Sequence, residues 1–167
     1  MMIRKIMLLG EIGVGKTSIV RRLVFDRHEA DYKATVGTDV YRYEVVPSPG
    51  TEPFHFIVWD TDGNFGESIF RSVHMKEAHA ALIVSDAARR PTIETMARLA
   101  EGFADAMPGR YLALVLNKLD LIETTGLPPL PPIVTSGEFA LFKTSAKTGL
   151  NVRHAFHEAA ETIVRRS

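Results

Sequence analysis

The chain has 167 residues, the size of one domain, and at that length folding buries roughly 70% of the surface of the unfolded chain. Hydrophobic residues make up 46% and charged residues 24% of the sequence, an ordinary globular composition that argues against extended disorder. Lys and Arg together number 20 and are balanced by 20 Asp and Glu, so no diffuse positive field exists to hold nucleic acid or an anionic membrane, and any bound anion needs a local site.

The apolar runs of the sequence are short. None approaches the roughly 20 apolar residues that cross a bilayer, and the run after Arg4 and Lys5 is too short for the core of a signal peptide. Myristoylation requires Gly where Met2 stands, and the absence of Cys excludes disulfides, thiolate metal sites and prenylation. We therefore expect one cytoplasmic domain over residues 1–167, monomeric, with no covalent membrane anchor and no nucleic acid as a partner.

Runs of strand length lie at Ile3–Leu9 and at residues 54–59, 80–84 and 111–116, and helical patterns separate most of them. This alternation is typical of βαβ units and predicts a mostly parallel sheet. Residues 38–46 form a further predicted strand. The turn-forming residues that follow it predict an antiparallel hairpin with the strand at 54–59.

Two helices are predicted from apolar residues that recur at intervals of three and four. The first covers residues 91–107, with Pro91 suited to a first helical position. The second lies at the end of the chain, and Asn151 is predicted to cap it. Together these elements predict an α/β fold with one antiparallel strand in the sheet.

Residues 10–17 fit the pattern G-x-x-x-x-G-K-[ST], between the first strand and a helical segment. Glycines let backbone N–H groups turn inward around a phosphate, and the helix presents its positive end. Lys16 is predicted to contact the β- and γ-phosphates, and Thr17 to reach Mg²⁺. The other residues assigned to the bound nucleotide in this segment are Gly13, Val14, Gly15 and Ser18.

A second motif predicts which nucleotide base the site binds. Asn117, Lys118 and Asp120 form N-K-x-D after the strand at 111–116. The Asp120 carboxylate can accept from both N1–H and the 2-amino group of guanine, a pair that adenine lacks. Three further residues, which follow the apolar run at 139–142, are predicted to close over the same base: Ser145, Ala146 and Lys147.

Asp60 ends a strand, where a carboxylate can hold Mg²⁺ through water, and the N–H of Gly63 can reach a γ-phosphate. Thr35 is a candidate second hydroxyl for the metal. Each residue alone has a simpler explanation, such as a strand-end cap for Asp60, a turn residue for Thr35 or a solvated acid for Asp120. All these segments in this order indicate a guanine nucleotide site.

The sequence resembles the small Ras-like GTPases, most closely the Rab-like branch, over nearly its whole length. The resemblance rests on G-V-G-K-T at 13–17, Y-K-A-T-V-G-T at 32–38, W-D-T at 59–61, N-K-L-D at 117–120 and T-S-A-K-T-G at 144–149. It implies a six-stranded G domain that binds GTP or GDP with Mg²⁺, with segments at Thr35 and Gly63 that release the γ-phosphate on hydrolysis. It also implies an effector, an exchange factor and a GTPase-activating protein, and it places Tyr32 at the nucleotide.

The sequence departs from the family at several positions. Asn64 stands where the family has a Gln that orients the attacking water, and Ile12 stands where it has a small residue. Asp62 puts a charge beside Gly63, where it either repels GTP or assists the metal. His28 replaces a Phe that stacks on guanine, and it either stacks likewise or is a surface histidine.

A cluster of prolines at residues 128–132 falls where the family has a helix. We predict that this helix is shortened or lost, and that the segment is a rigid surface loop or, through its P-x-x-P spacing, a ligand for an aromatic groove. The absence of a prenylated Cys suggests a prokaryotic member of the family or a truncated tail.

These patterns favour a Mg²⁺-dependent GTPase switch of low rate. Its predicted catalytic residues are Lys16, Thr35, Gly63 and Asn64. The alternative is a GTP-binding interaction module with negligible hydrolysis, because of Ile12 and Asn64. A small phosphoryl-transfer kinase is disfavoured by the base motif.

Overall fold

The computed structural model describes residues 2–26, 38–61 and 63–166. Its strands are β1 (Ile3–Leu9), β2 (Thr38–Val45), β3 (Phe54–Thr61), β4 (Ala80–Asp86), β5 (Tyr111–Asn117) and β6 (Ala140–Lys143). Its α-helices are α1 (Lys16–Phe25), α2 (Arg90–Ala106), α3 (Pro132–Thr135) and α4 (Val152–Arg165). Three 3-10 segments connect them, at Gly63–Arg71, Val73–Met75 and Leu119–Ile122.

The strands form one six-stranded sheet in the order β2-β3-β1-β4-β5-β6. Only β2 and β3 pair antiparallel, in a register that runs from Thr38 opposite Thr61 to Val45 opposite Phe54. The other pairs are parallel. The predicted α/β fold, its mostly parallel sheet and its hairpin are therefore confirmed.

The second half of β1, from Ile6 to Leu9, is buried on both faces, which explains its apolar run. Alternate residues of a strand point to opposite faces of the sheet. Ile6 and Leu8 belong to the core layer that α1 and α4 cover, whereas Met7 and Leu9 belong to the layer under α2. Helices therefore cover both faces of the sheet.

The segment after β5 has little helix, as the proline cluster predicts. The short 3-10 turn Leu119–Ile122 is followed by α3, which has only four residues. Pro131 is the residue before α3, and Pro132 is its first residue, a position where a missing N–H costs nothing. The prediction of a shortened helix is confirmed.

The predicted capping role of Asn151 is wrong. Asn151 does occupy the position before α4, but its backbone is left-handed, with φ of 57°, and its side chain makes no capping hydrogen bond. The amide Nδ2 instead donates to the carbonyl of Lys143 at 2.9 Å. Asn151 therefore links the start of α4 to the end of β6 by a hydrogen bond.

The parallel strands bring the sequence motifs to one edge of the sheet. Gly10 follows β1, Asp60 lies near the end of β3, Asp86 ends β4, Asn117 ends β5 and Thr144 follows β6. Because parallel strands have their carboxyl ends at the same edge, residues far apart in sequence meet there, and this edge is where open α/β sheets bind ligands.

Candidate functional site

The phosphate loop, residues 10–15, runs from β1 into α1, and Lys16 lies against it. The Lys16 Nζ atom donates to the carbonyl oxygens of Gly10 at 2.7 Å and Glu11 at 2.9 Å. Only 6% of the side chain is exposed. The lysine ammonium is thus held over the loop, which is where the sequence predicts a phosphate contact.

The next three carbonyls of the loop accept from side chains at or just after the carboxyl ends of β4 and β5. The acceptor Ile12 O binds Arg89 Nη2 at 3.0 Å, Gly13 O binds Lys118 Nζ at 2.6 Å, and Val14 O binds Asn117 Nδ2 at 3.0 Å. The C=O and N–H of one peptide group point in opposite directions. Fixing these carbonyls therefore turns the following N–H groups to the other side of the loop, where an anion can accept from them.

Two glycines in the site have no room for a side chain. Gly15 has φ of 102°, and a Cβ there would lie 2.3 Å from Asn117 Nδ2. A Cβ on Gly63 would lie 2.3 Å from the backbone nitrogen of Ile12. The first glycine lets the N-K-x-D motif approach the phosphate loop, and the second places the start of the segment Gly63–Arg71 against that loop.

Thr17 and Asp60 meet at the proposed metal position. The Thr17 hydroxyl donates to Asp60 Oδ2 at 2.5 Å, and Asp60 is fully buried. Oxygen ligands of this kind suit Mg²⁺, which is usually held by one or two protein groups together with substrate phosphates. No cluster of three or more His, Asp or Glu able to hold a metal occurs in the described ranges.

Asn117 joins the phosphate loop to the segment after β6. Its Oδ1 atom accepts from Thr144 Oγ1 at 2.9 Å and from the Ala146 N–H at 3.3 Å. In the same region the Ser145 hydroxyl donates to Asp120 Oδ1 at 2.7 Å, and Ser145 is itself buried. The Asp120 carboxylate is therefore oriented by a fixed donor beside the space where the sequence predicts guanine.

Arg22, on α1, was not predicted as a site residue. Its Nε donates to the carbonyl of Ala146 at 2.8 Å, and its Nη2 donates to that of Lys147 at 2.5 Å. The helix that begins at the phosphate loop thus also holds the loop at 145–147. No local pattern marks this role, because the first contact spans 124 residues of sequence.

The sequence motifs also do not identify Asp86 and Arg89 as site residues. Asp86 Oδ2 accepts from Arg89 Nε at 3.0 Å and pairs with Lys118 Nζ at 3.3 Å, and its side chain is only 4% exposed. This carboxylate aligns the two cations that hold the carbonyls of Ile12 and Gly13. A signal was present in the sequence, since Asp86 follows an apolar strand just as Asp60 and Asn117 do.

Asn64, a predicted catalytic residue, and Ile12, predicted to obstruct it, lie in a more open setting. Ile12 is 41% exposed, and Asn64 is also exposed. Both adjoin the contact between Gly63 and the phosphate loop. Four residues named from the sequence lie outside the described residues: His28, Tyr32, Thr35 and Asp62.

The remaining predicted residues come together at the carboxyl edge of the sheet. Ser18 lies in the first turn of α1. Ser18, Gly13 and Gly15 are partly exposed, and Lys147, next to Ala146, is exposed. Their assignment to a nucleotide stays a prediction, which the arrangement of donors and glycines supports.

Residues 5–165 match the family described as the Ras family. The chain belongs to the Ras family. Ras and Rab proteins are GTP-binding switches with GTPase activity that bind GTP or GDP, generally with Mg²⁺, and interact with effectors, exchange factors and activating proteins. The resemblance to the Rab-like branch is confirmed by three relatives.

Ras-related protein RABF2a of Arabidopsis thaliana is 30% identical over 164 residues, which cover 96% of this chain and 81% of the relative. Ypt/Rab-type GTPase YPT7 of Saccharomyces cerevisiae is 30% identical over 174 residues, covering 99% and 83%. Ras-related protein Rab5A of Oryza sativa is 29% identical over 163 residues, covering 96% and 79%. Within the described part of this Ras-family chain, no helix is both long enough and apolar enough to cross a membrane.

Proposed function

We propose that this protein is a Mg²⁺-dependent GTP-binding switch that hydrolyses GTP to GDP slowly. The observation that carries the proposal is the set of side-chain hydrogen bonds through Asn117, which joins the phosphate loop at Val14 to the base segment at Ala146. A site built this way holds the phosphate end and the base end of one nucleotide in a fixed relation.

The phosphates would bind to the phosphate loop. Lys16 supplies a charge that phosphate oxygens can share with the carbonyls of Gly10 and Glu11, and the loop supplies backbone N–H donors. Thr17, Asp60 and Thr35 are the residues that would hold Mg²⁺. When bound, Mg²⁺ neutralises charge on the β- and γ-phosphates.

Guanine would be chosen by Asp120. Its carboxylate accepts from the two donors that guanine presents, and the hydrogen bond from Ser145 fixes its orientation. Arg22 and Asn117 hold the segment at 145–147 in place, so the base enters a preformed site. A site that pairs buried polar groups with a base rejects an analogue lacking them by about 10⁴-fold or more.

Slow hydrolysis is proposed because the residues that act on water differ from the family. The Asn64 amide would orient the attacking water, but its side chain is one methylene shorter than Gln. The Gly63 N–H would contact the γ-phosphate, with its backbone against that of Ile12. The exposed Ile12 side chain stands in this region and hinders both a water-orienting amide and an arginine from a partner.

The same two residues support a second candidate, a GTP-binding interaction module that scarcely hydrolyses. Both candidates are proposed for a single cytoplasmic domain over residues 1–167. That domain would be monomeric and would respond to an effector, an exchange factor and an activating protein. The rate of hydrolysis separates the two.

One experiment tests the site and the rate together. We expect the purified protein to contain guanine nucleotide, measured by anion-exchange chromatography after denaturation. Single-turnover hydrolysis of loaded GTP should run below about 3 × 10⁻⁴ s⁻¹, a typical unassisted rate for this chemistry, and EDTA should abolish it. No measurable hydrolysis with tight GTP binding selects the interaction module, whereas equal binding of ATP and GTP contradicts both candidates.

A further inference from the structure

A second cavity lies at the other edge of the sheet from the candidate nucleotide site. It has a volume of about 570 Å³, and its lining includes Arg4, His79, Arg110, Tyr111, Ile163 and Arg166. Arg4 is near the start of β1, and Tyr111 is the first residue of β5, whereas the phosphate loop follows the end of β1. The length of a seven-residue strand, about 20 Å, separates the two places.

The cavity gathers positive charge in a chain whose net charge is zero. In the described residues, none of Arg4, Arg110 and Arg166 has a carboxylate within ion-pair distance. Arg4 Nη1 donates to the neighbouring Ile3 carbonyl at 3.1 Å. No ion pair in the described structure therefore neutralises these guanidinium groups, although the carboxylates of Glu158 and Glu77 act electrostatically on Tyr111 and His79, which line the same cavity.

The pKa of His79 is affected by the same positive charges. Burial lowers the pKa of His79, and the charges of Arg4 and Arg110 lower it further, against an opposing effect of Glu77. The Lys5 backbone N–H donates to His79 Nδ1 at 2.9 Å, so the neutral ring carries its proton on Nε2. His79 thus adds a neutral N–H donor to the wall of the cavity.

Tyr111 forms part of the floor and has an unsatisfied polar atom. Its side chain is 7% exposed, and within residues 2–26, 38–61 and 63–166 its buried hydroxyl has no hydrogen-bond partner. The Arg166 guanidinium lies 6.0 Å from the centre of its ring. Because that hydroxyl is buried, Tyr111 presents its ring rather than its polar atom to a ligand in the cavity.

We propose that this cavity binds a phosphate monoester. Planar guanidinium groups pair with phosphate oxygens through parallel hydrogen bonds, and a dianionic phosphate suits several arginines better than one carboxylate does. The volume lies in the range of small-molecule sites, about 300–1,000 Å³. Ile163 and the Tyr111 ring provide apolar surface for the organic part of the ester.

The ester has two possible sources, a free phosphorylated metabolite and a phosphorylated lipid headgroup, and the test separates them. The protein is first saturated with GDP and Mg²⁺, so that the phosphate loop does not compete for the probe. Inorganic phosphate and glucose 6-phosphate are then titrated by calorimetry. Cosedimentation measures binding to phosphatidylcholine vesicles with and without phosphatidylinositol 4-phosphate.

The variants Arg110→Gln and Arg166→Gln should each weaken binding by about tenfold or more, since each removes a charge-assisted contact. Arg98→Gln is the matched control, because it removes one positive charge from the exposed face of α2, away from the cavity. The imidazole signals of His79, assigned with His79→Gln, should shift on binding. Affinity for GDP should stay unchanged in these variants, which separates this proposal from the proposed function.

Saturable binding of the soluble esters that depends on Arg110 and Arg166 supports the proposal with a free metabolite as source. Binding only to vesicles that contain the phosphorylated lipid, with the same dependence, supports it with a headgroup as source. The proposal is overturned if no probe binds saturably. It is also overturned if Arg98→Gln weakens binding as much as Arg110→Gln does, because the attraction is then unspecific charge.

Discussion

The base and phosphate side of the candidate site differs from the side that would activate water. On the first side, Asn117 is 1% exposed and Ser145 is 1% exposed, and both hydrogen-bond across elements. On the second, Ile12 is 41% exposed, and Asn64 is exposed and shorter than the family's Gln. These two departures from the family, Ile12 and Asn64, thus lie at exposed positions, and we expect nucleotide binding and hydrolysis to be separable in this chain.

The sharpest test of the binding side is its choice of base. We expect the unmodified protein to prefer GTP to ATP by about 10⁴-fold or more, because adenine leaves the Asp120 carboxylate without donors. Asp120→Asn should shift that preference from guanine to xanthine nucleotides. Competition against a fluorescent GDP analogue measures both.

Asp105→Asn is the matched control, since Asp105 is an exposed acid on α2. It should leave the base preference unchanged. A guanine preference that survives Asp120→Asn would move the base contact to another residue.

The next largest effect should come from Lys16→Ala. The lysine ammonium is the charge held over the phosphate loop, and a hydrogen bond to a charged group contributes about 1.5–3 kcal/mol. Losing two phosphate contacts should therefore lower the affinity for GTP by about a hundredfold or more. Equilibrium binding of a labelled GTP analogue checks this.

Lys76→Ala, at an exposed site, provides the control. Because Lys16 also contacts the carbonyls of Gly10 and Glu11, the unfolding temperature of each variant is measured as well. Unchanged GTP affinity in a folded Lys16→Ala protein would reduce the phosphate loop to a structural turn.

The hydrolysis side is tested by restoring what the family has there. We expect Asn64→Gln together with Ile12→Gly to raise single-turnover hydrolysis more than the product of the two single effects. Neighbouring groups that act on one water are coupled by about 1 kcal/mol, or roughly fivefold. Single-turnover time courses of the double variant, both single variants and the unmodified protein measure this coupling.

Affinity for GDP should be similar in all four proteins, because neither change touches the Asn117 network. Fast hydrolysis by the unmodified protein, without a partner, would mean that another residue orients the water.

An effect of about the same size as that coupling should come from Arg89→Ala. This change removes one donor to the Ile12 carbonyl, about 0.5–1.5 kcal/mol, and should speed GDP release by a few-fold to about tenfold. Asp86 keeps its ion pair with Lys118, so no buried carboxylate is left without a cation. Stopped-flow release of a fluorescent GDP analogue checks it, with Arg98→Ala as the control; equal rates in both would show that the Ile12 contact does not stiffen the loop.

Much of the fold was predictable because its signals are local. The apolar runs placed β1, β3, β4 and β5 within about two residues of their observed ends, since strand burial depends on a few consecutive side chains. The proline cluster predicted the shortened helix, because a proline ring and its missing N–H exclude a helix interior wherever it occurs.

Asn151 shows where local reasoning fails. Its residue type and position favour a helix cap, yet its side-chain amide donates a hydrogen bond to the Lys143 carbonyl instead. Its backbone is left-handed, whereas a capping residue usually has an extended backbone. A tertiary hydrogen bond thus overrode the local preference.

The motif residues Lys16, Asn117 and Asp120 could be named from sequence because phosphate and guanine chemistry demand particular groups at short spacings. Arg22 and Arg89 could not, since they act on carbonyls 124 and 77 residues away, and any carbonyl is an acceptable partner for an arginine. Only the folding of parallel strands to a common edge decides which carbonyls they meet, and the same folding brings Arg4, Arg110 and Arg166 to one cavity at the opposite edge.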